Sequence, residues 1–213
     1  MKLPAAVTAS ALLLSLAACT QRSDTVAHDL ATAPADAFMA AVAAHCGQAY
    51  AGKVVEDTPA PTGKDPFAGQ RLVMHVRGCA DPAHELRIPF HVGDDHSRTW
   101  VLTRTATGLR LKHEHRHADG SPDAITLYGG DSTPPGTAER QQFPADTDSV
   151  AMFRRADMLA STHNTWAMEI DPDQTFVYEL TRPDGRRFRV QFDLSKPVDL
   201  PPAPWGDQKA PAP

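Results

Sequence analysis

The sequence predicts a mainly β protein, an antiparallel up-and-down meander of about ten strands that also has an N-terminal helix and one inserted helix. Two observations carry this prediction. Apolar and polar residues alternate with a period of two in many short segments, as in strands that bury one face. The links between these segments are short and rich in Gly, Asp and Pro, such as Gly93-Asp94-Asp95 and Pro183-Asp184-Gly185. A sheet of this size tends to curl and close, since closure removes the edge strands.

The first element is a helix over 34–47. Pro34 suits a helix start, Asp36 is an acidic residue of the first turn, and Gly47 ends the pattern. A second helix is predicted over 149–159, behind an Asp/Thr cap and interrupting the strands, with Met152, Phe153, Ala156 and Leu159 at helical spacing.

The strands follow the first helix, and closure of their meander gives a calycin-like barrel, with an open curled sheet as the alternative. Gly129-Gly130-Asp131 is interpreted as a turn. The predicted strands are 50–56, 70–77, 86–92, 98–105, 109–117, 123–128, 137–143, 163–170, 175–182 and 187–194.

The chain divides into four segments. Residues 1–18 form a signal peptide, 19–33 a polar tether, 34–200 a single β-rich domain, and 201–213 a Pro-rich tail that is either an extended strap or disordered. The formal net charge of −5 argues against nucleic acid as a partner.

The beginning of the chain has the features of a secretory signal. Lys2 precedes an uncharged, mostly apolar stretch that ends in small residues. Leu16-Ala17-Ala18-Cys19 resembles the lipobox of bacterial lipoproteins as a class, and the resemblance covers this segment only. It implies that Cys19 is lipidated and anchors the chain to a membrane. The alternative is an ordinary cleaved signal with a coincidental cysteine. Thr20 stands where an inner-membrane-retention aspartate would lie, which implies the outer membrane.

Two further cysteines, Cys46 and Cys79, are expected to form a disulfide, since the envelope is oxidising and the count is even. In a meander, strand 50–56 starts and strand 70–77 ends at the same end of the sheet, which brings the two cysteines together. The alternative is a pair of buried free thiols.

The candidate site lies on strand 109–117. The alternation places Leu109, Leu111, His113, His115 and His117 on the inner face. Three inward histidines predict either a polar ligand-binding site or a metal site for Zn²⁺ or Cu²⁺, and the third interpretation is plain structure.

Two more residues are placed near this strand. Turn geometry puts His96 beside His117 at the mouth of the sheet, together with acidic turn residues. A four-residue loop over 105–108 pairs Leu102 with Leu111 and turns Trp100 toward His113, whereas a three-residue loop turns Trp100 outward. The candidate ligand-binding residues are therefore Trp100, His113, His115, His117 and His96, and the candidate metal ligands are His113, His115 and His117.

Nucleophile-elbow, zinc-protease and phosphate-loop motifs are absent from the sequence, so no catalytic residue is assigned. The sequence favours an envelope lipoprotein that binds a small or lipidic ligand, or a partner protein, without catalysis. The alternative is a metal-binding protein or metal-dependent hydrolase that uses the histidine strand. An open cavity of several hundred Å³, on the order of known ligand sites, lined by Trp100, His113 and His115 would favour ligand binding, and a filled interior would favour a scaffold role.

Overall fold

The structure is a computed structural model that describes residues 33–60, 62–133 and 136–207. The predicted signal peptide, Cys19 and nearly all of the tether lie outside the described residues. Ten strands form a single antiparallel sheet, which confirms the predicted fold class. The strands are β1 (Ala49–Thr58), β2 (Leu72–His75), β3 (Glu85–Val92), β4 (Asp95–Arg104), β5 (Leu109–His115), β6 (Tyr128–Asp131), β7 (Arg140–Pro144), β8 (Thr165–Asp171), β9 (Thr175–Thr181) and β10 (Arg187–Val198).

The sheet curls into a nearly closed barrel whose seam lies between β6 and β7. The strand order is β6-β5-β4-β3-β2-β1-β10-β9-β8-β7, so the last strand returns to pair with the first. Across the seam, the Thr133 N–H donates to the Gln142 carbonyl at 3.0 Å and the Asp146 N–H donates to the Gly129 carbonyl at 2.8 Å. The barrel therefore closes through a short stretch of irregular bonding rather than a full ladder.

Strand β6 corrects the prediction for this region. The strand was expected over 123–128 and Gly129-Gly130-Asp131 as a turn, but these glycines lie within β6. A Cβ at Gly129 would lie 1.9 Å from the Leu111 carbonyl oxygen, and one at Gly130 would lie 1.8 Å from the Pro144 carbonyl oxygen. Both positions require glycine because the backbones of β5 and β7 lie too close to β6 to leave room for a Cβ atom.

The first helix, α1 (Pro34–Ala43), covers one end of the barrel. It is shorter than predicted, since turns lead from its end to Gly47, whose φ is +81°. Its buried residues Phe38, Met39 and Val42 belong to the core, and Asp36 forms an ion pair with Arg104 at the end of β4. We call this the closed end of the barrel and the opposite end the mouth.

The second helix, α2 (Thr147–Arg155), lies between β7 and β8 and packs on β6. The predicted Asp cap is present, since the Asp146 carboxylate accepts from the Ser149 N–H at 2.8 Å. Phe153 is buried, but Leu159 is 60% exposed, because the chain leaves the helix and forms a separate 3₁₀ turn over Leu159–His163. The prediction that Leu159 continues the helix and its apolar face is therefore wrong.

The predicted disulfide is confirmed. Cys46 and Cys79 are bonded, with their Cα atoms 6.2 Å apart. Cys46 follows α1 and Cys79 follows β2, and β1 pairs with β2 in antiparallel register. The meander argument thus identified the pairing for the right reason, and the free-thiol alternative is wrong.

The segment after β10 crosses the outer face of the barrel as an extended strap up to Asp207. Pro204 is buried, and the Trp205 N–H donates to the His96 carbonyl at 3.0 Å. Asp207 lies 3.4 Å from the Arg77 guanidinium. Residues 208–213 of the predicted tail lie outside the described residues. Among the helices that the structure describes, none is long and apolar enough to span a membrane.

Candidate functional site

A cavity of about 180 Å³ lies inside the barrel at its mouth, and we call it the mouth cavity. The interior beneath it is filled by side chains such as Phe176, Phe192 and Met168, all of which are fully buried. The cavity is therefore confined to the end of the barrel opposite α1. Six aromatic residues line it: Phe67, Phe90, Trp100, Tyr128, Tyr178 and Phe188.

Trp100 is the central aromatic residue of this lining. The predicted register is confirmed, because Trp100 pairs with His113 and Leu102 pairs with Leu111 across β4 and β5. Trp100 is 2% exposed, and its ring stacks on those of Phe90 and Tyr178, with centroids 5.0 and 4.6 Å away. The four-residue loop is thus the one that the chain adopts, and it directs Trp100 inward.

Two arginines add positive charge to the cavity. Arg98 lies two residues before Trp100 on the inner face of β4, and its Nη1 donates to Asp95 at 2.6 Å. Arg186, in the turn between β9 and β10, pairs with Asp57 and lies 5.7 Å from the centre of the Phe188 ring. None of the described residues that line the cavity is a carboxylate, so an anion entering it meets guanidinium groups and aromatic surface.

His113 lies at the inner wall of the cavity and is 3% exposed. Burial lowers the pKa of His113 to about 3, so the ring is neutral at physiological pH. Its Nδ1 lies 3.1 Å from the Tyr128 carbonyl oxygen and its Nε2 lies 2.8 Å from the Tyr178 hydroxyl. Both ring nitrogens of His113 are therefore engaged by the protein itself.

His115 also lines the cavity, two residues closer to the mouth. Its Nε2 lies 3.0 Å from the Tyr128 hydroxyl, and burial together with the nearby Arg98 lowers the pKa of His115. Burial raises the pKa of Tyr128 to about 12. The two phenols and two imidazoles thus form neutral hydrogen-bonded pairs in the wall.

The structure corrects the predicted position of His117. Strand β5 ends at His115, and His117 is exposed in the following loop, where its N–H donates to the Ser121 carbonyl at 2.8 Å. The strand alternation therefore does not extend to His117. Of the three histidines predicted to point inward, His113 and His115 do so and His117 does not.

His96 is also displaced from the predicted cluster. The pairing of β3 with β4 is irregular between Phe90 and Val92, and this bulge turns His96 to the outer face of the barrel. There its Nδ1 lies 2.6 Å from the Nδ1 of His91, and its ring lies beneath Trp205 of the strap. His96 and His117 are thus not part of the mouth cavity.

The predicted metal site is not formed. Within the residues that the structure describes, no group of three or more His, Cys, Asp or Glu side chains is arranged to hold a metal ion. His117 is remote from the predicted position, and the nitrogens of His113 are bonded to Tyr128 and Tyr178. The structure gives no three-histidine site for Zn²⁺ or Cu²⁺.

The sequence reasoning missed several residues of the cavity. Arg98 shares the face of Trp100 by simple alternation, so its inward position was available from the pattern, as was that of Tyr178 between Phe176 and Leu180. Phe67 comes from the loop between β1 and β2, and no periodic signal marks it. Arg186 was not missed in the same way: it follows a tight turn, where the sequence allows either an anion-binding residue or a solvated strand, and only the closed barrel places it beside the cavity.

Comparison of the chain with protein-family models, with curated proteins and with solved structures found no match, so the site is interpreted from its own geometry.

Proposed function

We propose that this chain is an envelope lipoprotein that binds a small, flat, acidic ligand in the mouth cavity and has a binding rather than a catalytic role. The observation that carries the proposal is the cavity lining, in which six aromatic residues surround a space that Arg98 and Arg186 reach. Among the described residues, the lining has no carboxylate, serine or cysteine side chain, and its imidazoles and phenols are hydrogen-bonded to one another, which favours binding over chemistry.

The volume of the cavity limits the size of the ligand. At about 180 Å³ it is close to the ~150 Å³ apolar cavity that takes a benzene ring. Sites that enclose drug-sized ligands are larger, at about 300–1,000 Å³. The cavity thus suits one ring or a short chain, and a long acyl chain would not be enclosed. A compact ligand is therefore favoured over a lipid.

The charge of the cavity limits the chemistry of the ligand. Among the described residues, Arg98 bonds only to Asp95, and it does so through Nη1, which leaves its Nε and Nη2 donors for a ligand. A guanidinium matches the two oxygens of a carboxylate, and burial in an apolar site strengthens such a bond. A flat ring that carries a carboxylate can bind Arg98 through the carboxylate and pack against the aromatic residues of the lining.

The envelope location rests on other observations. The lipobox at Leu16–Cys19 supports lipidation and an outer-membrane anchor, and the Cys46–Cys79 disulfide suits an oxidising compartment. The membrane, reached through the lipid on Cys19, and a small molecule are thus the two proposed partners.

Calorimetric titration with benzoate tests the proposal, since benzoate is one ring with one carboxylate. We expect a Kd below about 1 mM, which corresponds to −4.1 kcal/mol. Arg98→Gln should weaken binding at least about tenfold, since a charge-assisted hydrogen bond is worth about 1.5–3 kcal/mol.

Arg110→Gln is the matched control. Arg110 is paired with Asp131 on the outer face, and its side chain is 49% exposed, so the same change of charge there should leave the affinity unchanged. Absence of benzoate binding, or equal weakening by both substitutions, would show that the proposed acid site is wrong.

A further inference from the structure

The hydrogen bonds of His113 determine which of its nitrogens carries the proton. The Tyr128 carbonyl oxygen lies 3.1 Å from Nδ1, and a carbonyl only accepts hydrogen bonds, so Nδ1 must be the protonated nitrogen. The ring is buried and neutral, so it has a single N–H proton, and Nδ1 donates this proton to the Tyr128 carbonyl oxygen. It follows that Nε2 carries a lone pair and can only accept.

This tautomer determines the direction of the next hydrogen bond. The Tyr178 hydroxyl lies 2.8 Å from His113 Nε2 and must donate its single proton to that nitrogen. Burial raises the pKa of Tyr178 well above its ordinary value, so the proton is retained. Tyr178 Oη has no donor to it among the described residues and keeps a lone pair. Toward a ligand, Tyr178 is an acceptor and cannot be a donor.

The other polar groups of the cavity have different properties. The bond between the Tyr128 hydroxyl and His115 Nε2 is open to either direction, because nothing described fixes the tautomer of His115. Arg98 can only donate. The lining therefore presents two side chains that can only donate, Arg98 and Arg186, and one phenol that can only accept from a ligand, Tyr178.

The donor and the acceptor are separated along the barrel axis. Arg98 and Trp100 are two residues apart on one face of β4, so their Cα atoms are about 7 Å apart. Trp100 in turn stacks on Tyr178, with ring centroids 4.6 Å apart. A flat molecule along this wall meets Arg98 at the mouth and Tyr178 deeper in the barrel. A cationic donor such as an amine is disfavoured, because Arg98 and Arg186 are both nearby.

We propose, building on the acid-binding function above, that the ligand is a small phenolic acid whose carboxylate binds Arg98 and whose hydroxyl donates to Tyr178 Oη. The bound ring packs beside the stacked rings of Trp100 and Tyr178, and no other described side chain of the lining is fixed as an acceptor for the hydroxyl.

The test compares three probes by calorimetric titration: benzoate, para-hydroxybenzoate and para-fluorobenzoate. Fluorine is close in size to a hydroxyl but carries no proton to donate. The wild-type protein should bind para-hydroxybenzoate at least about tenfold tighter than para-fluorobenzoate, since the latter offers no proton to the lone pair of Tyr178 Oη. Tyr178→Phe should reduce this ratio to near one.

Tyr50→Phe is the matched control. Tyr50 is also a buried phenol that contacts a histidine, with its hydroxyl 2.6 Å from His45 Nδ1, but it is not part of the cavity lining. It should keep the wild-type ratio. If Tyr178→Phe does not fold, the ratio of the wild-type affinities for para-hydroxybenzoate and para-fluorobenzoate tests the phenol selection by itself.

The outcomes separate the two proposals. Equal binding of all three probes by the wild-type protein would overturn the phenol selection and leave the acid site standing. A preference for the hydroxyl that survives in Tyr178→Phe would overturn the role of Tyr178. Binding of none of the probes would overturn the acid site, and the phenolic ligand with it.

Discussion

Trp100 on β4 and Tyr178 on β9 stack face to face across the barrel, with ring centroids 4.6 Å apart and planes 20° apart. The two strands are not neighbours in the sheet, so this contact spans the interior. Beneath the pair the barrel is filled, and around and above it lies the mouth cavity. The interior is thus partly a packed core and partly a binding cavity, and the stacked pair lies at their boundary.

Histidine burial should make the protein acid-sensitive. The pKa of His113 is lowered to about 3 in the folded protein, while in the unfolded chain it returns to 6.5. Below pH 6.5 the unfolded state therefore binds a proton that the folded state does not, and stability falls as the pH falls toward 3. The expected loss is about 1.4 kcal/mol per pH unit for this residue. Urea unfolding between pH 4 and 8 measures it.

Two variants separate this effect from general acid sensitivity. His113→Gln should lose stability at neutral pH but show a shallower pH dependence below 6.5. His117→Gln should keep the wild-type slope, because His117 is exposed in the folded protein. Identical slopes in the wild type and His113→Gln would contradict the neutral, buried state of His113.

The Cys46–Cys79 bond should contribute strongly to stability. It closes a loop with a sequence separation of 33 residues, for which the chain-entropy model gives about 4 kcal/mol. The double variant Cys46→Ala and Cys79→Ala should lower the urea midpoint accordingly. A reducing agent should destabilise the wild type but not the variant. A wild-type midpoint that a reducing agent leaves unchanged would argue against this contribution.

The seam of the barrel should be intolerant of a side chain at Gly130. A Cβ there would lie 1.8 Å from the Pro144 carbonyl oxygen, so Gly130→Ala must push β6 and β7 apart. We expect a loss of at least about 2 kcal/mol in the free energy of unfolding. Gly63→Ala is the control, since a Cβ at Gly63 meets nothing within 4 Å. Equal stability of the two variants would show that the seam adapts freely.

The lipid anchor is tested by fractionating cells of a bacterial host. Cys19→Ser should prevent acylation and release the protein from the membrane fraction, because the thiol that we propose to be lipidated is lost. Thr20→Asp should keep the protein in the membrane fraction but move it to the inner membrane. Outer-membrane fractionation of the Cys19→Ser protein that matches the wild type would refute the lipoprotein assignment.

Much of the fold was predictable because it depends on local periodicity. Alternation identified most of the strands, and the apolar pairing of Leu102 with Leu111 placed Trp100 opposite His113. The direction of two consecutive strands was enough to bring Cys46 and Cys79 together. The exception among the strands was β6. Paired glycines usually indicate a turn, but here the absence of a Cβ at Gly129 and Gly130 lets the backbones of β5 and β7 lie close to β6.

The candidate site was only partly predictable because it combines residues that are distant in sequence. Alternation correctly placed His113 and His115 inside the barrel, and it failed at His117 because the strand had already ended. It also failed at His96, because a bulge shifted the pairing of β3 with β4. A bulge or a strand end changes the face of a side chain without leaving a periodic signal.

The sequence by itself determined the class of fold, the strand order along each hairpin, the disulfide and the inward direction of Trp100, His113 and His115. Each of these follows from contacts between chain neighbours or from consecutive antiparallel strands. Only the tertiary structure decided that β10 pairs with β1, that Arg98, Tyr178, Phe67 and Arg186 share one cavity, and that the Tyr128 carbonyl determines the tautomer of His113. These relationships depend on closure of the barrel, which brings together residues that no local pattern connects.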